Sequence, residues 1–271
     1  MPKRKTYIME HPEEVIRLEL KTDVKALRQQ ARWCGIKPGM RVLDVGCGAG
    51  KTTSIINQIV QPGGNVIGID YSAERVAYAR NHYGNDGVSF YNRDFMRPMR
   101  GIGSFDVIWV RFILEYFRQD AFSIVKNLQR YLKPGGWLCL IDLDYNCLNH
   151  YELPTLMEEM LQKMMRFMEI NFNFDPYAGR KLYAYLFDLS LEDIKAHVLA
   201  HHLFYGKLAL PNLYNWMKKL EVNASRISGL FQDYPGGFVS FMEDFSSFFM
   251  SERRFTYTPM ILCKGRKSLK S

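Results

Sequence analysis

Hydrophobic positions along this chain follow two spacings in turn. Short apolar runs, suited to buried strands, occur at 41–45, 65–70, 88–91, 105–110 and 137–143. Between them lie stretches whose apolar residues recur every three or four positions, the period of one helix face. These are 51–60, 72–83 and a segment opened by Asp120 that carries Phe122, Val125, Leu128 and Leu132 on one side. Ser72 and Asp120 are the expected N-caps, because a short polar side chain can accept from the first free amides of a helix. Pro62-Gly63-Gly64 and Pro134-Gly135-Gly136 punctuate the series as turns. Strand and helix in regular succession predict an α/β fold, a parallel sheet with helices on both faces.

The flanks read differently. Residues 11–34 predict a leading helix, with Pro12 in the first turn, Glu13 and Glu14 at the positive end of the dipole, and Leu20, Val24, Leu27, Ala31 and Cys34 in helical register. Lys37-Pro38-Gly39 ends it. After Asp144 the glycines thin out. Residues 153–174 predict a helix with Met157, Met160, Met164 and Met168 at helical steps. A further helix is expected at 191–200, an apolar strand near Leu203, helical structure over 212–250 and a last strand at 255–263. The expected organisation is an N-terminal lid helix (1–36), a core (37–145), a mostly helical cap that also contributes to the sheet (146–250), and a final strand with a basic tail (251–271).

Composition narrows the class without naming it. The chain has 271 residues, 47% apolar and 24% charged, enough to bury a sizeable core. Residues 1–19 are charged and lack the apolar stretch of a signal peptide, and no apolar run approaches the length of a membrane span. Five cysteines, Cys34, Cys47, Cys139, Cys147 and Cys263, are scattered with no Cys-x-x-Cys pair, so reduced thiols in a cytoplasmic protein are expected. The net charge is +8, much of it at Lys3-Arg4-Lys5 and between Lys264 and Lys270. Both clusters read as solvated tails, which places nucleic acid behind other partners.

The strongest local signal is Val42-Leu43-Asp44-Val45-Gly46-Cys47-Gly48-Ala49-Gly50. Glycines at a strand-to-helix turn let the backbone approach a ligand, and the following helix aims its leading amides at it. A P-loop would require glycine where Val45 stands, although Gly50-Lys51-Thr52 supplies its end; a GxGxxG dinucleotide turn would require glycine at Lys51. Asp70 closes the next strand about twenty residues on, where a carboxylate can accept the hydroxyl protons of an adenosine ribose. On its own that acid separates no adenosine cofactor from another.

At this point the sequence resembles the class I S-adenosylmethionine-dependent methyltransferase family. Asp44 to Gly50 is similar to the family's first motif, with Gly46, Cys47, Gly48 and Gly50 against the cofactor. Asp70 resembles the ribose acid and Tyr71 the adenine-stacking neighbour. In Asn92-Arg93-Asp94-Phe95, the resemblance implies that Asp94 accepts from the adenine amino group and Phe95 donates its backbone amide. Ser104-Phe105-Asp106-Val107-Ile108 is similar to the fourth strand, with Arg111 just beyond it toward the methionine end. Leu132-Lys133-Pro134-Gly135-Gly136 is similar to the turn before the fifth. Tyr7-Ile8-Met9, Glu14 and Arg17-Leu18 resemble the lid of a subgroup acting on small molecules, in which Tyr7 would close over the cofactor. Asp175-Pro176-Tyr177-Ala178-Gly179-Arg180-Lys181-Leu182 resembles a later segment of the same subgroup. The family fold implied is a Rossmann-like, seven-stranded, mostly parallel sheet with an antiparallel last strand.

The acceptor is approached by exclusion. Trp109-Val110-Arg111-Phe112 stands where enzymes methylating exocyclic amines carry [N/D]-P-P-[Y/F], and no Pro-Cys pair exists for cytosine C5 chemistry. A cap rich in Tyr, Phe and Met favours a small, partly aromatic or apolar acceptor. Methyl transfer from an activated donor is mostly alignment; an oxygen or nitrogen acceptor can also need a base. His11, Asp142, His150, His201 and His202 are candidates that no spacing separates, so the catalytic residue is unassigned. No metal-ligand pattern is present. Two alternatives stand beside the small-molecule methyltransferase: an RNA or protein methyltransferase, suggested by the charge, and a non-catalytic S-adenosylmethionine-binding module. The cap can equally serve a homodimer.

Overall fold

The computed structural model describes residues 23–145, 148–225 and 227–270. The predicted lid before Asp23, including Tyr7 and His11, lies outside them, as does Cys147. Helix α1 is Val24–Cys34. Asp23 is its N-cap, extended and accepting from the Ala26 N–H. The expected helix therefore does not run unbroken through 23, since a capping residue leaves helical φ/ψ. Leu27, Gln30, Ala31 and Cys34 form its buried stripe, and Val24 is exposed.

The core then alternates as the periodicity predicts: β1 (Arg41–Val45), α2 (Lys51–Val60), β2 (Asn65–Asp70), α3 (Ala73–Tyr83), β3 (Val88–Asn92), β4 (Phe105–Arg111), α4 (Ala121–Gln129) and β5 (Leu132–Leu143). The Ser72 hydroxyl accepts from the Arg75 N–H, as a cap should. The Asp120 side chain makes no cap hydrogen bond; it accepts from Asn173 Nδ2 instead. The Pro-Gly-Gly turn is not a gap before the fifth strand. Phe105 pairs with Leu132 and Val107 with Trp137, so residues 133–136 bulge within β5.

Past β5 come β6 (His150–Tyr151), α5 (Thr155–Phe172), α6 (Leu182–Asp188), β7 (Glu192–Tyr205), α7 (Leu210–Ser225), α8 (Gly237–Met250) and β8 (Phe255–Arg266). The helix expected at 191–200 is instead the first part of β7, which runs fourteen residues to Tyr205. Pairing with β8 along almost its whole length decides the matter. Tertiary pairing overrides weak local propensity.

The sheet order is β3-β2-β1-β4-β5-β8-β6, with β7 also paired to β8. β8 runs antiparallel to β5, β6 and β7. The sheet has eight strands rather than seven. The extra one, β6, has two residues, and takes up pairing along the flank of β8 that β5 leaves at Met260. Alternate residues of each central strand face opposite cores. Leu43, Ile108, Val110, Leu138 and Leu140 pack with Ile124, Val125 and Leu128 of α4 and Leu182 and Leu186 of α6. Val42, Val107, Trp109, Cys139 and Ile141 pack with Leu27 and Ala31 of α1 and Ile55, Ile56 and Val60 of α2. A third cluster joins α5, α7 and α8 through Met157, Met160, Met164, Met168, Trp216, Phe241 and Phe249.

Of the basic residues expected in a solvated C-terminal tail, Lys264, Arg266 and Lys267 are engaged in the fold and Lys270 is exposed. Lys264 donates to the Trp33 carbonyl at 2.5 Å and lies 5.0 and 4.8 Å from the ring centres of Trp33 and Trp137. Arg266 pairs with Asp193 at 2.6 Å. Among the described residues no helix is long and apolar enough to cross a membrane.

Candidate active site

Chain order reverses between β1 and β4: β2 and β3 lie on one side of that seam, β5 on the other. Ligands of doubly wound sheets bind at the carboxyl ends of strands flanking such a switch. Every cofactor-contact residue predicted from sequence, Tyr7 aside, belongs to β1, β2, β3 or β4 or to the turn that follows it.

The turn after β1 is built on backbone geometry. Gly46, Gly48 and Gly50 have φ of 70°, 54° and 93°, a region that L side chains enter at a cost. A Cβ on Gly46 would stand 2.0 Å from Ile113 Cδ1, and one on Gly50 2.7 Å from Ala79 Cβ. The N–H groups of Gly46 and Cys47 both donate to the Ile69 carbonyl, at 2.8 and 3.0 Å, fastening the turn to the end of β2. Gly50 caps α2 without a side chain, so the leading amides of that helix are available to a ligand on the turn. The Cys47 thiol is buried, and burial pushes it well above its ordinary pKa, so it is a neutral wall.

Asp70 sits opposite, 5% exposed. Its Oδ2 accepts from Gly48 N–H at 2.9 Å and its Oδ1 from Ser72 N–H at 2.8 Å. Arg75 brings two more donors to Oδ1, Nη2 at 2.9 Å and Nε at 3.3 Å. Three of the four donors crowd Oδ1, and each carboxylate oxygen offers about two lone-pair sites, so only Oδ2 keeps room for a further hydroxyl, and a second requires Arg75 to swing away. Arg75 was not singled out from sequence. It lies five residues past the acid, on a helix that begins after a turn, and no simple periodicity links the two.

Tyr71 is 48% exposed at the lip of the cleft, and Asn92 Nδ2 holds its carbonyl at 2.6 Å and that of Asp70 at 3.0 Å. Asp94 accepts from Met96 N–H and lies 3.4 Å from Arg97 Nε. The Phe95 ring turns inward against Phe117, so only its backbone faces the cleft side of the sheet.

Asp44 and Arg111 lie at the carboxyl ends of β1 and β4. Asp44 is 3% exposed and accepts from Thr53 Oγ1 at 2.7 Å. Burial raises its pKa to about 7, against the opposing pull of Thr53 and Arg111. Burial lowers Arg111 to about 10, with Asp44 and Asp142 acting the other way, so it stays cationic at neutral pH. Its Nε donates to Gln30 Oε1 at 3.0 Å, and its guanidinium lies 4.0 Å from the Phe112 ring centre. Gln30, a polar residue inside the apolar stripe of α1, is a partner of Arg111 that no spacing in the sequence marks.

The base candidates separate in space. Asp142 is fully buried and its oxygens accept from the N–H groups of Leu143 and Glu115. Burial, then the neighbouring Glu115, raises it well above the carboxylate range. It fastens β5 to the turn after β4 and is no longer a free base candidate. His150 and His202 lie in the aromatic cap cluster, meeting Thr256 and Thr258, and His201 packs on Phe112. Among the described residues no group of three or more His, Cys, Asp or Glu side chains is arranged to hold a metal ion.

Comparison with known proteins agrees with this geometry. Arsenite methyltransferase of Aquipseudomonas alcaligenes is 35% identical over 115 residues, 39% of this chain and 33% of that protein. Demethylmenaquinone methyltransferase of Lactococcus lactis is 30% identical over 117 residues, 42% of this chain and 46% of that one. The chain thus spans less than half the length of either relative. Phosphoethanolamine N-methyltransferase 2 of Haemonchus contortus, solved with phosphomonomethylethanolamine and S-adenosylhomocysteine, shares the fold with a TM-score of 0.57 at 16% identity, over 90% of this chain and 52% of that one. Residues 36–196, more than half of the sequence, match the methyltransferase domain family, and the chain belongs to it.

Proposed function

We propose that the protein is an S-adenosylmethionine-dependent methyltransferase acting on a small molecule. The observation that carries this reading is the bond from Gly48 N–H to Asp70 Oδ2, which couples a glycine-rich turn at positive φ to the acid of the next strand. The turn and acid suit an adenosine ligand with a charged tail: Asp70 for the ribose, Tyr71 and Asp94 for the adenine, Gly46 to Gly50 for close backbone approach, and Asp44 and Arg111 for the amino and carboxylate groups of the methionine end. When bound, the cofactor supplies an electrophilic sulfonium methyl group. The chain's own residues hold and orient it, which is most of what transfer from an activated donor requires.

A small acceptor is supported by the relatives, whose names specify arsenite and demethylmenaquinone, and the ion pair and ring contacts of Arg266 and Lys264 account for part of the C-terminal charge within the fold. Residues 1–36 are read as a lid, 37–145 as the cofactor core, 146–250 as the acceptor cap and 251–271 as the closing strand. Free, buried Cys34, Cys47, Cys139 and Cys263 suit the cytoplasm. Calorimetric titration with S-adenosylmethionine, S-adenosylhomocysteine and NAD tests the core of the reading. Binding of both adenosyl ligands, weakened by Asp70→Ala and absent for NAD, is expected. Binding of NAD alone, or of no adenosyl ligand, refutes it.

A further inference from the structure

Three arginines of this protein lie where a guanidinium can present its flat edge, Nε and Nη2, to a planar acid. Arg180 clasps Asp144 that way, with both bonds at 2.9 Å. Arg253 clasps Glu152 likewise, at 2.7 and 2.6 Å. Arg254, next in the chain, is the buried one, only 2% exposed. Its Nη1 donates to the Gly206 carbonyl at 3.3 Å and its Cζ lies 5.1 Å from the Phe249 ring centre. Its Nε and Nη2, the same edge the other two use, have no acceptor among the described residues.

A guanidinium does not shed its proton in a protein, and a buried charge without a counter-charge is costly. Among the described residues no carboxylate pairs with Arg254. Phe249 stacks on Trp216 at 5.1 Å and meets Phe204 and Phe245 at 5.9 and 5.7 Å. His150 stands 6.5 Å from the same ring. One fork in an aromatic wall matches a single planar monoanion on an apolar body; a phosphate dianion would bring a second charge for which the described residues around Arg254 offer no second fork.

We propose that Arg254 is the anchor of a binding site in the cap for an apolar small molecule bearing a carboxylate. The site is defined by binding and does not depend on methyl transfer. The full chain is titrated calorimetrically with 3-phenylpropionate, decanoate, the neutral 3-phenylpropionamide and inorganic phosphate, and in parallel with S-adenosylhomocysteine. At least one carboxylate is expected to bind, with the amide weaker by about 10-fold or more, the loss of a charge-assisted hydrogen bond. Arg254→Met is expected to lose that preference, to bind S-adenosylhomocysteine as the wild type does, and to be no less stable in urea without ligand, since it removes an uncompensated charge. Arg254→Lys, which keeps the charge without the fork, is expected to bind the carboxylate more weakly than the wild type. Four results overturn the proposal: no carboxylate binds; the amide binds as well; Arg254→Met binds undiminished or is less stable than the wild type, meaning that the Nε and Nη2 edge already has an acceptor in the protein; or phosphate binds in preference. Failure of S-adenosylhomocysteine to bind bears on the methyltransferase reading alone.

Discussion

Asp44 offers a quantitative test of the buried floor of the cleft. Its carboxyl titrates near 7 in the fold, against an ordinary value of 3.8, chiefly because burial disfavours the ionised form. The unfolded chain thus holds its proton less tightly than the folded one. The contribution of Asp44 to stability is fully present below about pH 4 and is lost as pH rises toward 7; above that the deficit is constant. Each pH unit inside the window costs about 1.4 kcal/mol. Between pH 5 and pH 8 two of those units are crossed, so the wild type is expected to lose about 3 kcal/mol from this one group. Asp44→Asn keeps the volume and still accepts from Thr53 Oγ1, without titrating. The assay is urea unfolding of both proteins at pH 5 and pH 8 without ligand, and the difference between the proteins cancels every other titrating group they share. The stability of Asp44→Asn relative to wild type should rise by about 3 kcal/mol across that interval. An equal difference at both pH values would refute the reasoning, and would mean that Arg111 holds Asp44 ionised in the fold.

The same carboxyl predicts a proton signature. A cationic ligand favours ionised Asp44, so S-adenosylmethionine binding at pH 7 should release protons and its enthalpy should vary with the buffer's ionisation enthalpy, a dependence that Asp44→Asn abolishes. Gly50→Ala should destabilise by about 2–4 kcal/mol, since positive φ is compounded by overlap with Ala79 and Phe90; Gly101→Ala, also at positive φ with nothing within 4 Å, should cost only about 1 kcal/mol. Thermal unfolding of the pair separates sterics from backbone strain. Lys264→Met should cost about 2 kcal/mol by losing a charged hydrogen bond and two ring contacts, with a change in the fluorescence of Trp33 and Trp137.

The parts of the fold legible in sequence are those whose partners lie nearby or whose period is clean. The β1–α2–β2–α3 series and the turn at Gly46 to Gly50 belong here. So does α5, whose Met157, Met160, Met164 and Met168 are buried on one face as their spacing requires. The strand expected near Leu203 is the end of β7, but its first part reads as a helix because its residues are exposed or half-buried and lack the clean alternation of a sheet strand; the register with β8 defines it. The partners missed in the sequence are long-range or irregular. Gln30 and Arg111 are 81 positions apart. Arg75 reaches Asp70 across a turn, and Glu115 meets Asp142 from a short 3-10 segment after β4. The one trace of Gln30 in the sequence is an amide standing in an apolar stripe.

β8 has a consequence for how the chain is made. It lies between β5 and β7, both of which precede it in the sequence, and it pairs with each. Until residues 255–266 arrive, those two strands are separate open edges with unpaired backbone groups. Assembly of this half of the sheet therefore waits on contacts spanning more than a hundred positions between β5 and β8, a topology that folds slowly and leaves sticky intermediates. Expression yield should depend more on folding temperature and chaperone supply than the stability of the finished protein would suggest.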